Sequence, residues 1–366
     1  MRSFLLKLLI MGVMLIGLPL TGVILARYPA ARYLEFPPKT QFVVHASFSW
    51  IAVAVIAVLI LLSVVPFILK GFREKPAKKA LPHKPFPWWG WLSILLLIVS
   101  WTIAWTRMPI SKAFQEYTFT PLWLFYILIV NAITYRRTGH CMMLDKPVYF
   151  LFLFPFSAAF WWFFEYLNRF VQNWYYVGVH YGTVKYFLLA TISFSTVLPA
   201  VLGTRDLLMS TKRIKEGFHG IFFIKPENPG MVAMVILLLS AIGLGCVGIF
   251  PDYLFPLLWV SPLVIILSLQ TLFKEKHILS DIAEGNWNVV VGAAFSALIC
   301  GIFWEMWNYY SLAKWEYSVP LVHRFKIFEM PILGYAGYLP FGLECAVVGD
   351  ILAKIFANRT GGPSPN

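Results

Sequence analysis

The chain has 366 residues, 59% of them hydrophobic and 13% charged, with a mean hydropathy of +0.72. Soluble globular proteins carry about 25% charge, so the composition excludes that class and predicts an all-α, polytopic membrane helix bundle. The net charge of +13 comes without any nucleic-acid-binding motif, and no nucleic-acid partner is expected. The Lys and Arg residues instead lie in loops between apolar runs and favour one side. That is the positive-inside signal, and it suits a cytoplasmic face beside anionic lipid.

About ten apolar runs are each long enough to cross a bilayer. They lie near 4–26, 42–69, 89–106, 120–135, 147–165, 186–203, 231–250, 254–273, 288–307 and 331–354. In the first, the stretch from Leu8 to Ala26 exceeds the ~7–15-residue core of a signal peptide, so a retained signal-anchor helix is expected. The second is overlong and is expected to tilt or to end in an interfacial turn near Pro66. It begins near His45, a lone membrane histidine. Haem would need a second axial ligand, and the other histidines sit in loops. The basic tract Lys70–Lys84 is too short to fold alone. With the N-terminus inside, both termini fall in the cytoplasm, most simply of a bacterial inner membrane. Cys141, Cys246, Cys300 and Cys345 form no CxxC pair or cluster with His. Neither a metal site nor a cofactor is expected.

The last two thirds of the chain repeat themselves. Trp174, Tyr176, Lys185, Phe187 and Pro199 recur in the same order, at one constant offset, as Trp315, Tyr317, Lys326, Phe328 and Pro340. One position out of that register, Glu165 and Asn168 recur as Glu305 and Asn308. The expected domains are therefore 1–88 (two N-terminal helices and a basic loop), four-helix repeats 89–210 and 231–356, and a disordered tail 357–366. An even number of crossings per unit makes the repeats parallel, with a pseudo-twofold axis along the membrane normal and a binding site where they meet.

The candidate site residues follow from this pattern. Glu165-x-x-Asn168 and Glu305-x-x-Asn308 each place an acid and an amide on one helical face, followed by aromatic runs at Trp174 and Trp315. Such a set could hold a polar head group or move a proton. It could equally be an interfacial aromatic belt whose polar residues satisfy helix ends. Glu329 and Glu344 have no acidic counterpart in the first unit, and a carboxylate within an apolar span must be protonated, paired or turned to a wet cavity. The run Pro331-Ile332-Leu333-Gly334-Tyr335-Ala336-Gly337-Tyr338-Leu339-Pro340 predicts an interrupted helix, which is tolerated against protein or a water-lined cavity. Arg324 could receive an anionic head group.

Glu305, Glu344, Glu329 and Asn308 are thus the candidate catalytic groups. Glu165, Asn168, Trp174, Trp315, Tyr317, Arg324 and Tyr335 are the candidate ligand-binding groups. Glu329-x-Pro331 in an aromatic-rich bundle resembles the membrane carotenoid cyclases over a few residues. The usual Pro-x-Glu-Glu is missing and four spans per unit do not match, so no family is assigned. The leading expectation is a cavity, open to the outer leaflet, that binds or modifies a lipid or isoprenoid. The alternatives are a transporter built from two rocking units and a non-catalytic subunit that scaffolds partners in a membrane complex.

Overall fold

The computed structural model describes residues 2–73 and 84–360. Most of the basic tract Lys70–Lys84 and the end of the tail lie outside them. The architecture is that of a mostly helical, multi-pass membrane protein. Among the described residues, seven helices are long and apolar enough to cross a bilayer, and Leu9–Leu25 and Leu257–Leu272 are shorter apolar helices.

An N-terminal helix (Arg2–Gly12, a π-helical turn at Val13–Gly17, then Leu18–Leu25) is followed by α1 (Trp50–Arg73), α2 (Trp88–Trp105), α3 (Phe119–Thr138) and α4 (Pro147–Val171). Strand β1 (Trp174–Val177) leads into α5 (Thr183–Phe194) and α6 (Val197–Met209). Then come α7 (Pro229–Cys246), α8 (Leu257–Leu272), α9 (Asn288–Tyr309), β2 (Lys314–Tyr317), β3 (Lys326–Ile327), β4 (Met330–Pro331) and α10 (Tyr338–Thr360). Local chemistry sets several of these boundaries. Pro147 and Pro229 open their helices, where a missing N–H costs nothing. The Asn228 side chain caps Met231 N at 3.0 Å. Gly139 ends α3 in the left-handed conformation, which glycine adopts freely.

In the core, α6 and α9 pack on each other, α6 also on α3 and α4, and α9 on α10; α2 packs on α3, and α7 on α8 and the N-terminal helix. Lipid tails offer no hydrophobic drive between helices, so small residues allow close approach instead. A Cβ on Gly22 would fall 1.6 Å from the Gly245 carbonyl oxygen, and one on Gly342 would fall 2.1 Å from that of Ala293. By contrast α1 buries none of its hydrophobic window and stands at the edge of the bundle.

The expected boundaries shift in three places. The second span begins at Trp50, not near residue 42, and runs through Pro66 without a turn. Residues before it form a strap across one end of the bundle. Tyr33 stacks on Phe170 with ring centroids 4.8 Å apart, and Arg169 donates to the Tyr33 carbonyl. Gln41 N donates to Gln172 Oε1 at 3.1 Å, His45 Nδ1 meets Asp252 Oδ1 at 2.6 Å, and Ala46 N donates to Asp252 Oδ2 at 2.9 Å. The expected break between Pro331 and Pro340 is present, as β4 and a 3₁₀ turn over Ile332–Gly337, so the last helix starts at Tyr338. That helix continues to Thr360, into the region expected to be a disordered tail. It carries Glu344, Asp350 and Lys354 and is not among the seven apolar helices.

Two small two-stranded sheets sit within this mostly helical bundle. β1 pairs antiparallel with β2, Trp174 opposite Tyr317, Tyr175 opposite Glu316 and Tyr176 opposite Trp315. β3 pairs with β4. The ribbon β1–β2 lies at the strap end. The opposite end is tied by Lys7–Glu275 at 2.5 Å, Arg205–Asp350 at 3.4 Å and the Tyr149 hydroxyl on the Gly349 carbonyl at 3.1 Å.

Candidate functional site

The ends of α4 and α9 each carry a buried glutamate and, three residues on, a buried asparagine. The asparagines act on backbone. Asn168 Nδ2 donates to the Trp174 carbonyl at 2.8 Å while its Oδ1 accepts from Asn173 N at 2.8 Å. Asn308 Nδ2 donates to the Trp315 carbonyl at 2.7 Å and its Oδ1 accepts from Trp315 N at 2.9 Å. Each amide thereby pins the start of a strand to its helix end, satisfying groups that the turn would leave bare.

The glutamates act on side chains. Glu165 Oε1 accepts from Trp161 Nε1 at 3.1 Å, Trp174 Nε1 at 3.0 Å and the Tyr176 hydroxyl at 2.6 Å. Glu305 Oε1 accepts from the Tyr317 hydroxyl at 2.6 Å and the Tyr338 hydroxyl at 2.7 Å, and Trp315 Nε1 donates to the Tyr317 oxygen at 2.8 Å. The two clusters differ in two ways: Trp174 donates to Glu165 itself whereas Trp315 donates to the Tyr317 oxygen, and Tyr338 takes the place of Trp161. Where Trp161 stands four residues before Glu165, Gly301 stands four before Glu305, and the Tyr338 ring occupies the space: a Cβ on Gly301 would be 2.4 Å from it. Burial, then the neighbouring carboxyl group, pushes the Tyr176 and Tyr317 phenols well above their ordinary range, so both remain donors. Oε2 of Glu165 and of Glu305 meets no partner among the described residues.

In front of these clusters lies a cavity of about 860 Å³, within the usual size of a ligand site. Five tryptophans line it, Trp161, Trp174, Trp259, Trp304 and Trp315, together with Tyr176, Tyr186, Tyr317 and Tyr338. The strap supplies Pro37 to Thr40, and α1 supplies Ile56, Leu59 and Ile60. Ring contacts join the tryptophans: Trp161 is 6.4 Å from Trp174 and from Trp304, and Trp174 is 5.6 Å from Trp259.

Of the residues singled out in the sequence, Trp174, Trp315 and Tyr317 line the cavity. Glu165, Glu305, Asn168 and Asn308 stand behind its wall. Glu329 pairs with Lys314 at 2.6 Å, and Glu316 lies 3.4 Å from the same ammonium. Burial works against the charge of Lys314, but the two acids outweigh it and raise its pKa. Glu344 is buried on α10, away from the cavity wall, with Oε2 unpartnered among the described residues. Arg324 is exposed and sits over the Phe48 ring at 4.4 Å. Tyr335 gives its hydroxyl to the Ile327 carbonyl at 3.0 Å and does not line the cavity.

Sequence reasoning missed Trp161, Trp259, Trp304 and Tyr338. Trp161 carried a signal, lying one helical turn before Glu165. Among the described residues no group of three His, Cys, Asp or Glu could hold a metal ion. No protein-family model, curated protein or solved structure matches the chain.

Proposed function

We propose that this membrane protein binds a lipid or isoprenoid in the aromatic cavity, from the outer leaflet of a plasma membrane with both termini in the cytoplasm. The observation that carries the reading is the cavity itself: large, walled by aromatic rings, and bounded on one side by α1, a helix that buries none of its own apolar window. An acyl or prenyl chain entering beside α1 would exchange lipid for aromatic contacts and lose little in the transfer.

On this reading 89–210 and 231–356 are duplicated units that meet at the cavity, and the basic opposite face lies against anionic lipid. Three features support the duplication. Tyr175 and Glu316, separated along the chain by the offset of the repeat itself, pair directly and are flanked by Trp174–Tyr317 and Tyr176–Trp315, as a twofold axis through the central pair requires. Asn168 and Asn308 hold equivalent tryptophan carbonyls. Glu165 and Glu305 accept from equivalent tyrosines. Glu165, Glu305 and the two asparagines serve as positioning residues that fix the wall, so binding is better supported than chemistry.

The test is photolabelling of the reconstituted protein with a diazirine-bearing lipid, followed by peptide mapping. Adducts on the peptides holding Trp174 and Trp315 are expected. Adducts confined to the lipid-facing sides of α1, α2 and α7 would reject the cavity as a binding site.

A further inference from the structure

The hydrogen-bonding state of the cavity wall selects among lipids. Of its five tryptophans, Trp161 and Trp174 give their N–H groups to Glu165 and Trp315 gives its own to Tyr317. Trp259 and Trp304 have no acceptor among the described residues. An indole N–H only donates, and among the described residues the enclosed indole N–H groups without a partner are those of Trp105, Trp123 and Trp307, so the nitrogens of Trp259 and Trp304 are open to an acceptor. The two indoles share neighbours: Trp259 lies 5.9 Å from Phe341 and 6.5 Å from Trp161, and Trp304 lies 6.3 Å and 6.4 Å from the same rings.

Charge is already balanced around the cavity. Lys39 is paired with Glu35, Glu116 with Lys185 at 2.9 Å, and Lys314 with Glu329. Tyr117 and then Lys185 hold the Glu116 carboxyl below its usual range. His180, which is exposed, is the fourth acidic or basic side chain on the wall. A phosphate head would have to share a lysine that already serves a carboxylate.

Resting on the cavity reading above, we infer that the ligand is a neutral prenyl lipid of the quinone class, whose carbonyl oxygens accept from Trp259 and Trp304. A quinone head offers acceptors and demands none. Its plane stacks between aromatic rings, and its chain leaves through the apolar side bounded by α1.

The test measures binding of a short-chain benzoquinone and of its quinol to the purified full chain in neutral detergent, by equilibrium dialysis. The quinone should bind to the wild type and at least about tenfold more tightly than the quinol, whose ring oxygens carry hydrogens. Trp259→Phe and Trp304→Phe, which keep a ring but remove the donor, should each weaken quinone binding about fivefold, the worth of one hydrogen bond. Trp101→Phe, away from the cavity wall, serves as the control. Equal binding of quinone and quinol, or unchanged affinity in both variants, would overturn the inference. A protein that photolabels with lipid at the cavity yet takes no quinone would overturn this assignment and leave the lipid-binding proposal standing. One that does neither loses both.

Discussion

Asn308→Ala removes the two hydrogen bonds that hold the first residue of the Trp315–Tyr317 run to the end of α9. The Trp315 N–H and carbonyl lose partners at 2.9 and 2.7 Å. Trp315 is half-buried, so each group left without its partner costs about 1–2 kcal/mol, and the substitution about 2–4 kcal/mol in all. Asn168→Ala strips the equivalent contacts from the Trp174 end and should cost a similar amount. Because β1 and β2 pair with each other, loosening one strand weakens the other's support. The two substitutions should therefore couple, by about 0.5–3 kcal/mol, as groups in one network do. Denaturation in mixed micelles, followed by tryptophan emission, gives the four stabilities of the cycle. A loss below about 0.5 kcal/mol for Asn308→Ala, or strict additivity of the pair, would refute the claim that these amides pin a shared ribbon.

Gly301→Ala should destabilise by about 1–3 kcal/mol through overpacking, since its Cβ would enter the Tyr338 ring; thermal melts in detergent check this. Gly22→Leu should part the N-terminal helix from α7, where no Cβ fits against the Gly245 carbonyl, and a cysteine pair engineered across that contact should then cease to cross-link. Lys326→Cys and Lys215→Cys, both exposed, should react with an impermeant thiol reagent from outside and inside respectively, and the reverse pattern would invert the proposed orientation.

The candidate site was legible wherever local spacing determines contact. Glu165 and Asn168 share a helical face by geometry alone, and the aromatic run that follows is close enough in sequence to fold back onto them. What hydropathy could not show were contacts made over long separations. Val44 and Phe48 are apolar enough to extend the second span, yet the chain there is held as a strap by Asp252 and Gln172. Pro66 lies inside α1, which runs on to Arg73, because one missing N–H removes a single backbone hydrogen bond and does not by itself end a membrane helix. The pairing of β1 with β2 joins short segments far apart in the chain, and neither is long enough to carry a strand signal in a bilayer protein. Tyr338 supplies a donor to Glu305 only because Gly301 leaves room for its ring.

On the proposed reading, the ribbon also argues for a binding protein over a rocking transporter. If the two units moved apart at the strap end to admit a ligand, the β1–β2 ladder would have to break in each cycle, together with the Tyr175 hydroxyl bond to Glu316 at 2.9 Å. Entry beside α1 requires neither. Tyr175 and Glu316 face each other across the antiparallel pair, at a separation that a disulfide can bridge, and neither lines the cavity. A Tyr175→Cys/Glu316→Cys protein, oxidised in the membrane, should therefore photolabel with lipid at Trp174 and Trp315 as the reduced form does. If oxidation abolishes labelling and reduction restores it, the ribbon must open for access, and the lateral route past α1 is wrong.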